Sequence, residues 1–352
     1  MRRPALLSCL TIATALLLPS WRAEAADDAA WSRQLAERIA RIDQQTPGRL
    51  GVYVKRLSDG STMNHGTEQA WYLASMAKVP VALAVLRQVQ LGKAGLGDEM
   101  ALQDGDRIDV GNIVWNDTGT RYSVRTLVER MLLESDNTAA NMLIRSVGED
   151  ALNDGTRQAM GTPNVTLTTF AQVRRDVYAE VHPKARELDN RTLVRIASAR
   201  NGPARVEAIR RAVDVPRDQL ATASMDEAYD RYYRRNLNTA TLQAYGGMLE
   251  RLVRGQLLPE GEPRTVLYKA MKRDIYTGYR LQAGLPRDMP FIHKTGTQHR
   301  RACHAGVLNP DDLQKALVIV ACTADLDEQK QAGPVLESVG RAIRQVVLSG
   351  KA

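Results

Sequence analysis

Apolar positions recur along this chain in two rhythms, one helical and one strand-like, and their order sets the expected architecture. Over residues 28–44, Trp31, Leu35, Ile39 and Ile42 follow the helical period, and Pro47-Gly48 stops the run. Residues 50–57 alternate as a strand, Ser58-Asp59-Gly60-Ser61 reads as a turn, and a second short strand is expected after it. A strongly apolar, buried helix is expected over 75–90. Helical spacing returns over 127–147, as one helix or two, and again over 150–160. From about 164 to 236 the chain is rich in Arg, Asp and Asn, and irregular structure is expected there. An amphipathic helix follows at 239–254. Strand patterns then cover 291–297, 302–308 and 316–323, and an amphipathic helix over 331–348 closes the chain.

Strands at both ends with helices between predict an α+β fold. An antiparallel sheet is built from both chain ends and flanked by the terminal helices, beside an inserted all-helical lobe. The sheet lobe is expected over about 28–80 and 265–350 and the helical lobe over about 81–264, as one domain spanning 26–352.

The N-terminus reads as an address. Arg2 and Arg3 precede an apolar stretch over 5–19, and Ala23-Glu24-Ala25 has the small-x-small pattern of a signal-peptide cleavage site. Cleavage after Ala25 would deliver a periplasmic or secreted protein. The stretch is too short for a membrane span, and Cys9 lies too early within it for a lipid anchor, so no stable membrane anchor is expected. Lys and Arg number 48 against 40 Asp and Glu, a formal charge of +8, and aromatics make up 5%. This mild excess without aromatic platforms argues against a nucleic-acid partner. A monomer is expected.

Export changes how the cysteines read, because Cys303 and Cys322 would meet an oxidising compartment. Asn309-Pro310-Asp311-Asp312 is turn chemistry between two strands. If Leu308 faces about residue 317, counting back along the hairpin brings Cys303 opposite Cys322. A cross-strand disulfide and a pair of buried thiols both satisfy that placement.

Three short motifs carry candidate chemistry. Ser75-Met76-Ala77-Lys78 opens the buried helix, where a spacing of three sets a hydroxyl and an amine on one face. A lysine held in an apolar helix is driven toward its neutral form, able to take the hydroxyl proton. Ser135-Asp136-Asn137 lies between helical segments and offers a second hydroxyl and an amide; Asp136 reads as structural. Lys294-Thr295-Gly296 sits on a late strand, where glycine admits a ligand to the strand edge and Lys and Thr can hold a carboxylate. Each motif alone is common. In this order, in an exported chain, they form a specific set.

On those motifs the chain resembles the penicillin-recognising serine hydrolases, and class A β-lactamases most of all, over about 28–348. The resemblance implies a β-lactamase/transpeptidase-like fold and an acyl-enzyme mechanism needing no cofactor or metal. It makes Ser75 the nucleophile, Lys78 its base or the partner of that base, and Ser135 the proton shuttle to the β-lactam nitrogen. Asn137 would bind the acyl side-chain amide. Lys294 and Thr295, beside Gly296, would hold the substrate carboxylate, with Arg300 or Arg301 as further candidates. Backbone N–H groups of Ser75 and Thr297 would form the oxyanion hole. The partner would be a small β-lactam or a peptidoglycan stem peptide.

The chain departs from that family in one place. Class A enzymes carry Glu-x-x-Leu-Asn in an omega-shaped loop, whose Glu activates the deacylating water. Here Leu237-Asn238 has Arg234 where the Glu should be. If Val165-Thr166-Leu167 leads into that loop, the acid falls near Ala171-Gln172, and of Asp176, Glu180 and Glu187 the choice is Glu180. The interval from Asn137 to Lys294 is long for the family, which implies an insertion remodelling the loop over 164–236. A positioned base contributes about 10²–10⁴-fold, so acylation could persist while deacylation slowed by that factor. A β-lactamase, a D-alanyl-D-alanine carboxypeptidase or endopeptidase, and a lapsed penicillin- or peptidoglycan-binding module all fit this pattern.

Other features read more simply. His293, His299 and His304 lack metal-ligand spacing and are taken as surface or strand-edge residues. Trp71 and Tyr72 read as core. Tyr229, Tyr232 and Tyr233 among Arg231, Arg234 and Arg235 fit either a peptide groove or a solvated helix face.

Overall fold

The computed structural model describes residues 21–272 and 278–349, so most of the leader expected over 1–25 lies outside the described residues. Helix α1 (Trp21–Gln44) leads into β1 (Arg49–Arg56) and β2 (Thr62–His65). The chain then leaves the sheet and returns only with β7 (Phe291–Gln298), β8 (Arg301–Leu308) and β9 (Leu317–Ala324). These five strands form one antiparallel sheet in the order β2-β1-β9-β8-β7, which places strands from opposite chain ends side by side. The fold is α+β. Strands β8 and β9 are buried along their whole length because helices cover both faces, so strict alternation is lost in their sequences. Leu308 pairs with Leu317 and Cys303 with Cys322, and the two sulfurs are bonded across Cα atoms 4.0 Å apart.

One face of the sheet packs on the terminal helices. Leu35 and Ile39 of α1, with Leu336 and Val339 of α13 (Ala332–Ile343), meet Val52, Val54, Ile319 and Ala321. Each such side chain, taken fully from water, contributes about 1.5–3 kcal/mol before entropy is counted. The other face carries Tyr53, Ile292, Val318 and Val320. These meet a helical layer made of α2 (Lys78–Gln90), α3 (Val124–Leu133), α4 (Asn137–Val147), α5 (Glu149–Met160), α10 (Leu242–Val253) and α11 (Glu262–Lys272). A one-turn helix, α12 (Leu281–Gly284), packs on α13 ahead of β7. Two short ladders complete the frame, β3 (Trp71–Tyr72) with β6 (Thr239–Ala240) and β4 (Glu99–Ala101) with β5 (Arg121–Ser123).

The segment expected to be irregular is instead helical. Residues 164–236 contain α6 (Phe170–Val181), α7 (Asn190–Ser198), α8 (Pro203–Val213) and α9 (Met225–Tyr233). Thr169, Asp189 and Ser224 cap α6, α7 and α9 by accepting backbone N–H bonds. Each helix hides a narrow apolar stripe among its charges: Val173, Val177 and Val181; Leu193 and Ile196; Val206, Ile209 and Val213; Ala228 and Tyr232. Together these stripes form a separate core. Its neck is closed by Asn238, which receives the Thr168 N–H at 3.0 Å and donates its own N–H to the Thr166 carbonyl at 2.8 Å.

Candidate active site

Ser75 lies in a 3-10 turn, Ala74–Ala77, and α2 begins at Lys78 itself. Several contacts fix this turn. The Leu73 N–H donates to the Asn238 carbonyl at 2.9 Å, and the buried Tyr245 hydroxyl donates to the Met76 carbonyl at 3.0 Å. Ala74 takes a left-handed conformation with φ 48°, which costs an L-residue of order 1 kcal/mol and is held by the packing around it. Gly296 of β7 lies against the same turn. A Cβ there would sit 2.3 Å from the Leu73 carbonyl oxygen.

Lys78 is the hub. It is fully buried, and its Nζ reaches Ser75 Oγ at 3.2 Å, Ser135 Oγ at 3.1 Å, the Ser135 carbonyl at 2.5 Å and Asn137 Oδ1 at 2.6 Å. The Phe170 ring covers it, with its centroid 4.7 Å from Nζ. Burial, then the positive charge of Lys294, pushes the Lys78 pKa well below the ordinary lysine value, and Asp136 and Asp109 only partly oppose this. The amine can therefore be neutral where an exposed lysine is charged, which is what a proton acceptor for a serine hydroxyl requires.

The Ser135-Asp136-Asn137 segment reaches Lys78 because its backbone is pinned. Ser135 is left-handed at φ 56° and precedes the N-cap of α4. Asp136, fully buried, accepts from the N–H groups of Ala139 at 2.8 Å, Asn112 at 2.8 Å and Ile113 at 3.0 Å. It is a structural bracket, as its position in the motif suggests. Asn137 donates from Nδ2 to the Asp109 carbonyl at 2.8 Å while its Oδ1 faces Lys78.

Strand β7 closes the site from the other side. Lys294 and Thr295 are buried. A cleft of about 330 Å³ brings Ser75, Ser135, Asn137, Thr295 and Thr297 to one surface; buried Lys78 bonds the two serines, and buried Lys294 acts on it electrostatically. Sequence reasoning missed Arg280, which is 2% exposed. Its guanidinium donates to the carbonyls of Gly296 and Cys303, both at 2.9 Å, and to Thr297 Oγ1 at 2.8 Å. No motif surrounds Arg280, so only the folded chain reveals that it braces β7.

Some expected residues stand elsewhere. Glu180 does not line the cleft; it sits near the end of α6 with its carboxylate 4.0 Å from Arg235, and Asp176 is 3.1 Å from the same guanidinium. Helix α6 turns Phe170, Val173 and Arg174 toward the cleft instead. The Phe170 N–H is held by Asn141 Oδ1 of α4 at 2.9 Å. Arg300 and Arg301 are not in the lining either; Arg301 pairs with Asp325 at 2.9 Å and lies over the Tyr233 ring at 4.3 Å. His293 and His304 are buried partners, 3.0 Å apart between Nδ1 and Nε2; His293 lies on the edge strand β7, as one of the two expectations had it, but neither is a surface group. Trp71 is core, as expected, while Tyr72 is buried and also lines the cleft. Tyr229 and Tyr232 are buried too, and Tyr229 reaches the cleft.

Comparison with known proteins places this geometry. The β-lactamase enzyme family matches residues 34–347. The β-lactamase of Citrobacter koseri is 23% identical over 318 residues, covering 89% of this chain and 88% of that one. The β-lactamase of Rhodobacter capsulatus is 28% identical over 114 residues, a match that spans only 39% of its length. Among solved structures, a β-lactamase from Xanthomonas campestris superposes with TM-score 0.65 at 20% identity, covering 90% of this chain and 98% of that one. PBP-A superposes with TM-score 0.64 at 19% identity, covering 88% and 94%. At these identities the superpositions speak to the fold, and the family match extends over nearly all of the described chain: this protein belongs to the β-lactamase enzyme family.

Proposed function

We propose that the protein is an exported serine hydrolase that opens the β-lactam amide through an ester on Ser75. One observation carries the reading: a single buried amine, depressed in pKa, lies within 3.2 Å of both Ser75 Oγ and Ser135 Oγ in one cleft. Ser75 Oγ attacks the carbonyl carbon as its proton passes to neutral Lys78. The C–N bond then breaks, the nitrogen takes the proton of Ser135 Oγ–H, and Ser135 is reprotonated from Lys78. Thr295 and Thr297, braced by Arg280, receive the substrate's carboxylate end. General acid–base transfer of this kind contributes about 10²–10⁴-fold.

Deacylation is the weak step. The cleft wall near Lys78 presents Phe170 and Val173. Among the described lining residues the carboxylate is Glu328, whose Oε2 accepts the Arg300 N–H at 2.9 Å. A water without a nearby base attacks the ester slowly, so the acyl-enzyme should accumulate. Intact-mass analysis with a chromogenic cephalosporin tests this: an adduct on wild type but not on Ser75→Ala, with a burst followed by slow turnover, is the expected result. Absence of both adduct and hydrolysis overturns it. The same Phe170 wall favours a second reading, a peptidase of cell-wall stem peptides, and release of D-alanine from a pentapeptide faster than β-lactam turnover would select it. PBP-A, among the similar folds, is known in a mutant form as a penicillin G acyl-enzyme.

A further inference from the structure

The helical insert does more than displace a loop, because one wall of the cleft is made of it. Phe170, Val173 and Arg174 come from α6, Asn201 and Arg205 from the α7–α8 corner, and Tyr229 from α9. The two arginines differ. Arg174 is neutralised, with Nε and Nη2 on the two oxygens of Asp109 at 2.9 and 2.6 Å and Nη1 on the Tyr229 hydroxyl at 3.0 Å. Arg205 has no carboxylate partner among the described residues. Its Nε and Nη2 donate to backbone carbonyls at the end of α7, Ala199 at 3.2 and 2.6 Å and Ala197 at 2.7 Å. Those three bonds fix one edge of the guanidinium, and its Nη1 makes no hydrogen bond among the described residues although the side chain lines the cleft.

Asp109 is bonded directly to Arg174 and acts on Arg205 only through space, so this wall sets two guanidinium groups against one carboxylate. Arg205 shares the cleft with Asn137 and acts on Asp109, whose carbonyl holds the Asn137 amide. We infer that Arg205 forms an anion subsite built by the insert, which takes a carboxylate on the acyl arm of the substrate. This rests on the acyl-enzyme reading above. Guanidinium suits the task because it stays charged, and a group already held on one edge loses little freedom when it binds a carboxylate with the other. The carboxylate could belong to the side chain of a β-lactam or to an acidic residue of a stem peptide.

The test uses two penicillins that differ only by that group, benzylpenicillin and its α-carboxy analogue carbenicillin, with acylation of Ser75 followed by rapid-quench mass analysis. Wild type should be acylated faster by carbenicillin, with a preference that shrinks as salt rises. Arg205→Gln should lose about tenfold in carbenicillin acylation, the worth of one charge-assisted hydrogen bond, and leave benzylpenicillin nearly unchanged. Arg205→Lys should retain part of the preference. Because Arg205 also supports α7, the ratio of the two rates within each folded variant is the readout. An equal loss with both penicillins, or an unchanged ratio, overturns the subsite. Failure of benzylpenicillin to acylate wild type would instead overturn the acyl-enzyme reading. Stem peptides with and without a side-chain carboxylate, run as competitors, separate the two sources of the anion.

Discussion

Gly296→Ala puts the contact between β7 and the nucleophile turn to a quantitative test. The new Cβ would lie 2.3 Å from the Leu73 carbonyl oxygen and 3.3 Å from both Ala74 Cβ and Met76 Cγ. An unstrained contact is about 3.5 Å, so strand and turn must part by about 1 Å. The obstacle is backbone, not a flexible side-chain end, and the turn is tied at Leu73 and Met76, so neither partner yields freely. Overpacking of this kind costs about 1–3 kcal/mol, a loss of a few degrees in Tm. The larger effect should be catalytic, since a misplacement of about 1 Å between reacting groups costs about 100-fold. Stopped-flow acylation by a chromogenic cephalosporin, with Tm measured alongside, reads both. Gly247→Ala is the control: it lies in α10 with nothing within 4 Å of the added Cβ, and should leave acylation unchanged while slightly raising stability. A folded Gly296→Ala protein acylating within about threefold of wild type would refute the argument that this contact sets the geometry.

Three further outcomes follow from the same structure. Because burial lowers the Lys78 pKa, acylation should rise with pH through that depressed value and level off well before the ordinary lysine range near pH 10.4; an inflection at the ordinary value would defeat the neutral-amine argument, and Lys78→Arg, always charged, should be inert to acylation at every pH. His304 is fully buried and its pKa is pushed well down, by burial first and then by His293, Arg280 and Lys294. The unfolded chain therefore binds a proton that the native one refuses, so stability should fall as pH drops below about 6.5, and denaturant melts of His304→Gln should show a shallower loss. Asp136→Ala removes the acceptor of three backbone N–H groups, and should cost about 2–4 kcal/mol in denaturant titrations; a cost under about 1 kcal/mol would show that the 112–113 loop does not depend on it.

Much of this site could be read along the chain because its parts are local. A serine and a lysine three positions apart at a helix start share a face whatever surrounds them, and alternation plus turn residues places Cys303 opposite Cys322 within one hairpin. The segment over 164–236 was harder. Its stripes, such as Val173, Val177 and Val181, are narrow and interrupted by charges that pair within the helix or across it, such as Arg231 with Glu227. Read singly, these segments look too polar to fold, yet four such stripes facing inward bury enough to make a core.

The sequence by itself determined the strands at both chain ends, the spacing that sets Ser75 beside Lys78, and the glycine that lets β7 approach them. These follow from spacing, periodicity and side-chain size, which any local stretch of chain carries. Only the tertiary structure decided that Phe170 rather than Glu180 stands beside Lys78, that Arg280 braces Thr297, and that Arg205 reaches the cleft. Each of those placements depends on how far one helix is turned against another, and such rotations come from packing between segments tens to more than a hundred residues apart, which no local pattern encodes.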